Sequence, residues 1–241
     1  MRFLKRIVIV IFIIVLVTGV GLGMYGYTYY EKKINEEPLA DKVNDVRTDY
    51  FFTSIKDVPD YYINAIIAVE DSRYKEHGAI DIIGIGRAIV TNIKSGELKE
   101  GGSTITQQVA KNLYFIEPGN VIRRKVAEFF MALELENKYS KEEILEMYMN
   151  TIYFGDGYYG IKQACNGYLN KEPKDMTLAE ATMMAGIPNA PSAYSPTVNK
   201  KLCKERQNKV ISSMKENGYI TEDEANKIDQ SFIDNIEYKK W

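Results

Sequence analysis

Histidine occurs once in this 241-residue chain, at His77, and cysteine twice, at Cys165 and Cys203. That scarcity excludes a zinc centre: the two cysteines lack ligand spacing, and one imidazole cannot complete the set. An oxidising compartment would permit a disulfide, but sequence alone does not pair the two thiols. A charge excess of either sign is also missing. Lys and Arg number 31 against 33 Asp and Glu, a formal net charge of −2, which excludes the strongly basic surface that a nucleic-acid partner requires. Sustained period-two alternation is nearly absent, so a sheet-based fold is not expected. No internal repeat or low-complexity tract is present, and the length suits one domain of about 200 residues with a short extra segment.

Charge is absent altogether from Ile7 to Tyr30, where Ile7–Val17 is almost pure Ile, Val, Leu and Phe. Roughly 20 apolar residues cross a bilayer as a helix, so this segment is long enough to span. Arg2, Lys5 and Arg6 precede it, which retains the N-terminus in the cytoplasm, and Tyr25, Tyr27, Tyr29 and Tyr30 fall where an outer aromatic belt would lie. A cleaved signal peptide is the alternative, but the apolar stretch is long for one and no A-x-A site follows. The charged segment 31–46 then reads as a stalk.

Beyond it the pattern is helical. Asp60 is placed to cap a helix ending near Glu70, a second covers Ile82 to Ile93 and stops near Ser95-Gly96, and a third runs from Ser103 or Thr104 to Leu113. In a fourth, Val126, Phe129, Phe130 and Leu133 lie at i, i+3, i+4 and i+7 and predict one buried stripe. Ser140/Glu143, Thr177/Glu180 and Thr221/Glu224 each have capping-box spacing. The expectation is an all-α domain after one N-terminal transmembrane helix.

Three segments carry candidate chemistry. The first is Glu70 to His77, where an apolar helix ends on two adjacent carboxylates, with Arg73 and His77 close behind. Partial negative charge at a helix C-terminus makes the carboxylate of Glu70 a better proton acceptor; a solvated helix end with local ion pairs is the plain alternative. The second is Gly101 to Gln108, continuing to Lys111. Glycines, hydroxyls and amides at a helix start suit sugar hydroxyls or phosphate oxygens. In the third, Arg124, Lys125 and Glu128 lie off the Val126/Phe129/Phe130 stripe and can face a cleft. There Arg124 would grip a diphosphate by a bidentate fork and Lys125 as a point charge; an exposed Arg124–Glu128 pair is the plain alternative.

In this order the segments resemble glycosyltransferase family 51, the peptidoglycan glycosyltransferases, found as free enzymes and as N-terminal domains of class A penicillin-binding proteins. Glu70-Asp71-Ser72-Arg73-Tyr74-Lys75-Glu76-His77 is similar to the first family motif, and Gly101–Gln108 with Lys111 to the second. Arg124–Glu128 resembles the third, Lys141–Asn150 the fourth, and Ala181–Pro196 the closing segment. The resemblance covers roughly Val46 to Asn217. It implies a lysozyme-like, two-lobed helical domain whose second lobe is embedded in the membrane, here over residues 47–241, with 1–6 as cytoplasmic tail and 7–30 as membrane helix. Two positions depart from the pattern. Ala79 stands where the family has glycine, and Asn120 where many members have arginine, with Arg123 the residue placed to cover that role.

What the resemblance implies is polymerisation of lipid II into β-1,4-linked glycan on the outer face of a bacterial cytoplasmic membrane, with release of undecaprenyl diphosphate. Glu70 and Glu128 would be catalytic. Asp71, Tyr74, His77, Ser103, Thr104, Gln107, Gln108, Lys111, Arg124 and Lys125 would bind substrate. Mg²⁺ fits through phosphate oxygens and a carboxylate, although no dedicated metal site is visible. The partners implied are lipid II, the growing strand, the membrane and cell-wall synthesis or division proteins, with no nucleic acid. The end at Trp241 leads us to expect no transpeptidase activity. A lysozyme-like hydrolase and an inactive membrane-tethered scaffold are the competing readings.

Overall fold

The computed structural model describes residues 2–96 and 101–237. The expected domain end at Trp241 lies outside them, as do Met1 and the side chain of Arg2. Among the described residues the α-helices are α1 (Arg2–Glu36), α2 (Leu39–Thr48), α3 (Asp60–Glu70), α4 (Ile82–Ser95), α5 (Ile105–Tyr114), α6 (Val121–Lys138), α7 (Lys141–Thr151), α8 (Gly160–Ala164), α9 (Leu178–Gly186), α10 (Pro191–Tyr194), α11 (Lys200–Glu216) and α12 (Glu222–Asn226). The only extended pairing described is an isolated antiparallel bridge between Tyr153 and Tyr159. The fold is all-α, as the periodicity predicts.

Helix starts follow the local chemistry. Thr104, Ser140, Thr177 and Thr221 each accept a hydrogen bond from the backbone N–H three positions on, and the side chains of Gln107, Glu143, Glu180 and Glu224 accept one from the cap amide. Three of these boxes match the spacing expected from sequence. Asp60 is not a cap: it is the first residue of α3, and Pro59 holds the cap position. Gly96 closes α4 with a left-handed φ of 69°, a conformation that glycine adopts without steric cost.

Two groups of helices make the body. In one, α3, α9 and α11 pack on each other; in the other, α5 lies against both α6 and α7, and α1 runs along α6. Tyr62, Ile66, Ile67, Ile105, Phe115, Met131, Leu135, Ile144 and Phe154 are fully buried between them. The Val126/Phe129/Phe130 stripe requires correction. The core face of α6 is Ala127, Glu128, Met131, Ala132 and Leu135, while Leu133 is 40% exposed. The aromatic stripe instead meets α1, with Tyr27 edge-on to Phe130 at 5.1 Å. Residues 31–46 are likewise no free stalk: α1 continues to Glu36, and Leu39 and Val43 of α2 are buried in the core. Cys165 and Cys203 are buried, unpaired thiols. Burial pushes both pKa values up, that of Cys203 to about 12, so neither is a nucleophile near neutrality.

The cap of α9 is sensitive to acid. Burial alone would raise the pKa of Glu180, but Lys171 Nζ at 2.7 Å and the Thr177 amide at 2.7 Å hold it below the usual carboxylate range. A carboxyl lowered on folding stabilises the fold above its unfolded pKa of about 4.3, and that contribution is lost as pH falls through the folded value. We therefore expect the urea midpoint of wild type to exceed that of Glu180→Gln at pH 7 and the gap to narrow towards pH 3. A gap that stays constant with pH would contradict this.

Candidate functional site

Glu70 ends α3, and its side chain is only 8% exposed. Gln108 of α5 donates to Oε2 at 2.8 Å, and Arg206 of α11 donates to Oε1 at 3.3 Å. The carboxylate is thus held from both helix groups at once. Sequence reasoning missed Arg206, although a signal was available. Cys203, Gln207, Val210 and Met214 form the buried stripe of α11, and Arg206, at i+3 from Cys203 and i−4 from Val210, is a charge placed on it. Its Nε donates to the Gly186 carbonyl at 3.2 Å, which fixes the guanidinium. Beside Glu70 a polar cleft of about 230 Å³ is lined by Ser72, Arg87, Asn189, Arg206 and Lys209.

The loop after Glu70 is tied down by buried polar contacts. Asp71 Oδ2 accepts from the Ile105 amide at 3.0 Å, and Oδ1 lies 2.7 Å from His77 Nε2. His77 Nδ1 faces the Gly78 carbonyl at 2.6 Å. Tyr74 is 1% exposed, and its hydroxyl donates to the Lys141 carbonyl at 2.7 Å; burial, above all, pushes its pKa far up. Asp71, Tyr74 and His77 are therefore walls of the site, with their polar atoms already engaged.

The second motif divides in the same way. Thr104 is 2% exposed, donates to the Ala79 carbonyl at 2.9 Å and caps α5, and the Gln107 carbonyl oxygen accepts from the Thr104 amide at 3.0 Å. Both were expected to bind substrate; the structure makes them the capping box that starts α5. Gln108 faces Glu70, Ser103 Oγ accepts from Lys125 Nζ at 3.2 Å, and Lys111, one turn along the same face, is exposed. Among the described residues Lys111 forms no ion pair.

Glu128 is fully buried. Lys125 Nζ donates to its Oε2 at 2.5 Å, while Arg124 Nε lies 3.2 Å from Oε1. That second contact lacks hydrogen-bond geometry, so Oε1 is a buried oxygen with no donor. The expectation that Glu128 lines a cleft is thus corrected in part: the carboxylate is interior, and the exposed atoms belong to Lys125 and, less so, Arg124, whose side chains are 45% and 23% exposed. Both cations sit in the first two turns of α6, which has no acidic residue in its first turn. Cations at the positive end of a helix dipole oppose it, an arrangement that is relieved by binding an anion.

The two departures from the family pattern have structural roles. Asn120 caps α6 by accepting from the Arg123 amide at 3.0 Å. Arg123 does not cover the missing arginine: its guanidinium stacks between Tyr25 and Tyr29, 4.6 and 4.8 Å from their ring centroids. Ala79 is 5% exposed, with its carbonyl taken by Thr104.

Among the described residues one group, Asp71, His77 and Asp81, brings metal-type donor atoms within 4.8 Å of one another. Asp71 is already satisfied, and Arg73 Nε lies 3.1 Å from Asp81 Oδ2. Burial would raise the Asp81 pKa, but the Gly84 amide and Arg73 together hold it below the usual range. The group reads as an ion-pair network bracing the loop.

The all-α body, with one carboxylate at the end of α3 and a second buried in α6, agrees with the lysozyme-like class of helical domains. Within that class, residues 36–215 match the family described as Transglycosylase, and the chain belongs to that family. It is 44% identical to penicillin-binding protein 1A of Neisseria lactamica over 190 residues, covering 79% of this chain and 23% of that protein. It is 46% identical to penicillin-binding protein 1F of Bacillus subtilis over 172 residues, covering 71% and 24%. The chain thus spans about a quarter of the length of these relatives. A crystal structure of penicillin-binding protein 1A from Haemophilus influenzae aligns with a TM-score of 0.45 and 23% identity, over 78% of this chain and 18% of that one.

Proposed function

We propose that this domain polymerises lipid II by inverting glycosyl transfer at the outer surface of a bacterial cytoplasmic membrane. The observation that carries this reading is the role of α5 in joining two networks: Gln108 bonds Glu70, and Ser103, just before the helix, bonds the Lys125 that pairs with Glu128. On this reading α5 links the proton acceptor on α3 to the cationic leaving-group site on α6.

In the reaction, Glu70 takes the proton of the acceptor 4-hydroxyl as its oxygen attacks C1 of the donor sugar. The C1–O bond to the diphosphate breaks, and an α-linked donor becomes a β-1,4 product. Charge develops on the departing diphosphate, so Arg124, Lys125 and Lys111 lower the barrier most if they bear on that charge in the transition state. Glu128 holds Lys125 and Arg124 in place. A divalent cation brought in on phosphate oxygens would neutralise further diphosphate charge, but Glu128 Oε1, fully buried and 3.2 Å from Arg124 Nε, offers it no open ligand position. Asp71, Tyr74, His77, Thr104 and Gln107 act by positioning, and Gln108 and Arg206 by orienting the Glu70 carboxylate.

A lipid-linked substrate suits the exterior of the fold. Phe3–Glu36 is the one described helix long and apolar enough to cross a membrane, and its apolar window is unburied. Ile82, Ile83, Ile89, Val90 and Ile93 of α4 are each more than half exposed, an apolar face that suits contact with lipid. The growing strand and other cell-wall synthesis or division proteins are the partners this reading implies.

Purified protein mixed with lipid II in detergent should form glycan that a muramidase digests. No product, or cleavage of preformed glycan without synthesis, would overturn the reading. Arg206→Ala should lower kcat/KM by roughly 10- to 100-fold, as expected for losing a charged hydrogen bond that orients a catalytic group. An unchanged rate would remove Arg206 from the account.

A further inference from the structure

We propose that the last turns of α1 before Glu31 form a positioning element of the site, a seat that fixes where α6 presents Arg124, Lys125 and Glu128. The starting observation is a glycine. Among the described residues Gly26 is the one buried position of α1, whose other positions are exposed or half-buried. A Cβ built on it would overlap the side chain of Val126 and come within 3.2 Å of the Ala127 amide nitrogen. A residue without a side chain lets two helix backbones approach closely, and here the approach falls between Lys125 and Glu128. Gly19, Gly21 and Gly23, earlier in the same helix, have open space where a Cβ would stand. The notch is therefore specific to the level of the cationic residues.

The residues around the notch fix the register. Arg123 Nε donates to the Tyr25 carbonyl at 3.2 Å while its guanidinium stacks against Tyr25 and Tyr29. Tyr27 packs on Phe130, and the Tyr30 hydroxyl donates to Glu134. Tyr29 also meets Phe115 at 5.3 Å, just beyond α5. These contacts reach α6 at 123, 126, 130 and 134, one flank of the helix through three turns, with Glu128 on the other. A slide or roll of α6 by a fraction of a turn would break them and also move Lys125 away from Ser103. The juxtamembrane tyrosines thus form a clamp on α6 as well as lying at the level of an interfacial belt.

The test compares full-length Gly26→Val with Gly23→Val, which adds the same side chain three residues earlier, where nothing lies within 4 Å. Amide exchange over residues 121–128 should accelerate by at least about 10-fold in Gly26→Val and stay within about 2-fold of wild type in Gly23→Val. With lipid II as substrate, Gly26→Val should lose at least about 10-fold in kcat/KM, with KM raised and kcat lowered together; a smaller folded fraction would lower kcat alone. Moving the notch to the other helix, in Gly26→Ala/Val126→Gly, should recover most of what Gly26→Ala loses. The kinetic arm rests on the function proposed above and the exchange arm does not. If wild type fails to polymerise lipid II, that reading falls, while exchange still decides whether α1 seats α6. Wild-type exchange in Gly26→Val overturns the seat, and faster exchange with unchanged kinetics overturns its role in positioning.

Discussion

Replacing Glu70 with glutamine is expected to reduce lipid II polymerisation by about 100- to 10,000-fold, the range contributed by a positioned general base. The substitution keeps the shape of the side chain. The introduced amide would still accept from Gln108 or Arg206 through its carbonyl oxygen, so the contacts that hold α3 against α5 and α11 largely survive. What is lost is the capacity to take a proton from the acceptor hydroxyl. The thermal midpoint should therefore stay within about 2–4 °C of wild type, the shift that about 1 kcal/mol produces in a domain of this size. Lipid II should still bind, because the cations of α6 are untouched. A variant that is folded and near-normal in rate would show that another group takes the proton.

The second large effect is expected at Glu128. Glu128→Gln should cost roughly 100- to 1,000-fold in rate, comparable to losing one preorganised electrostatic contact in a catalytic site. Its cause differs from that at Glu70. The buried carboxylate holds Lys125 at 2.5 Å and Arg124 at 3.2 Å; without its charge the two cations swing towards solvent and no longer converge on the diphosphate. Both have solvent access, so they rehydrate, and the stability loss should fall well short of the roughly 3–5 kcal/mol typical of breaking a fully buried pair. Single-turnover measurements should place the loss in the chemical step. A defect confined to KM would contradict the assignment.

The local signals in the sequence are the easiest to read. Ser140 with Glu143 and Thr177 with Glu180 start helices through contacts spanning three residues, so spacing alone announces them. Thr104 with Gln107 has the same chemistry but sits within a run of polar residues, where it resembles a ligand surface. Periodicity shows that a helix has an apolar face and leaves the partner open. Val126 and Phe130 do pack, but against α1, and the core takes Ala127 and Glu128 instead. A carboxylate at i+4 from an arginine looks like an exposed pair whether it is solvated or fully buried, so Glu128 stands out as a candidate without its depth being known. Arg206 lies 136 residues beyond Glu70, and only the packing of α11 on α3 brings the two together. Leu39 and Val43 are hidden by the charges around them. Glu70 and Glu128 stand out in the sequence as candidates, but the buried contacts that hold them do not.

The most direct test of the central claim, that the acceptor at this site is a sugar hydroxyl and not water, is isotope incorporation in ¹⁸O-labelled water. Wild-type protein turning over lipid II should release undecaprenyl diphosphate in step with chain growth and place no ¹⁸O at C1 of the donor sugar. Label appearing at that carbon as the diphosphate is released would mean that water is the nucleophile and that the domain is a hydrolase.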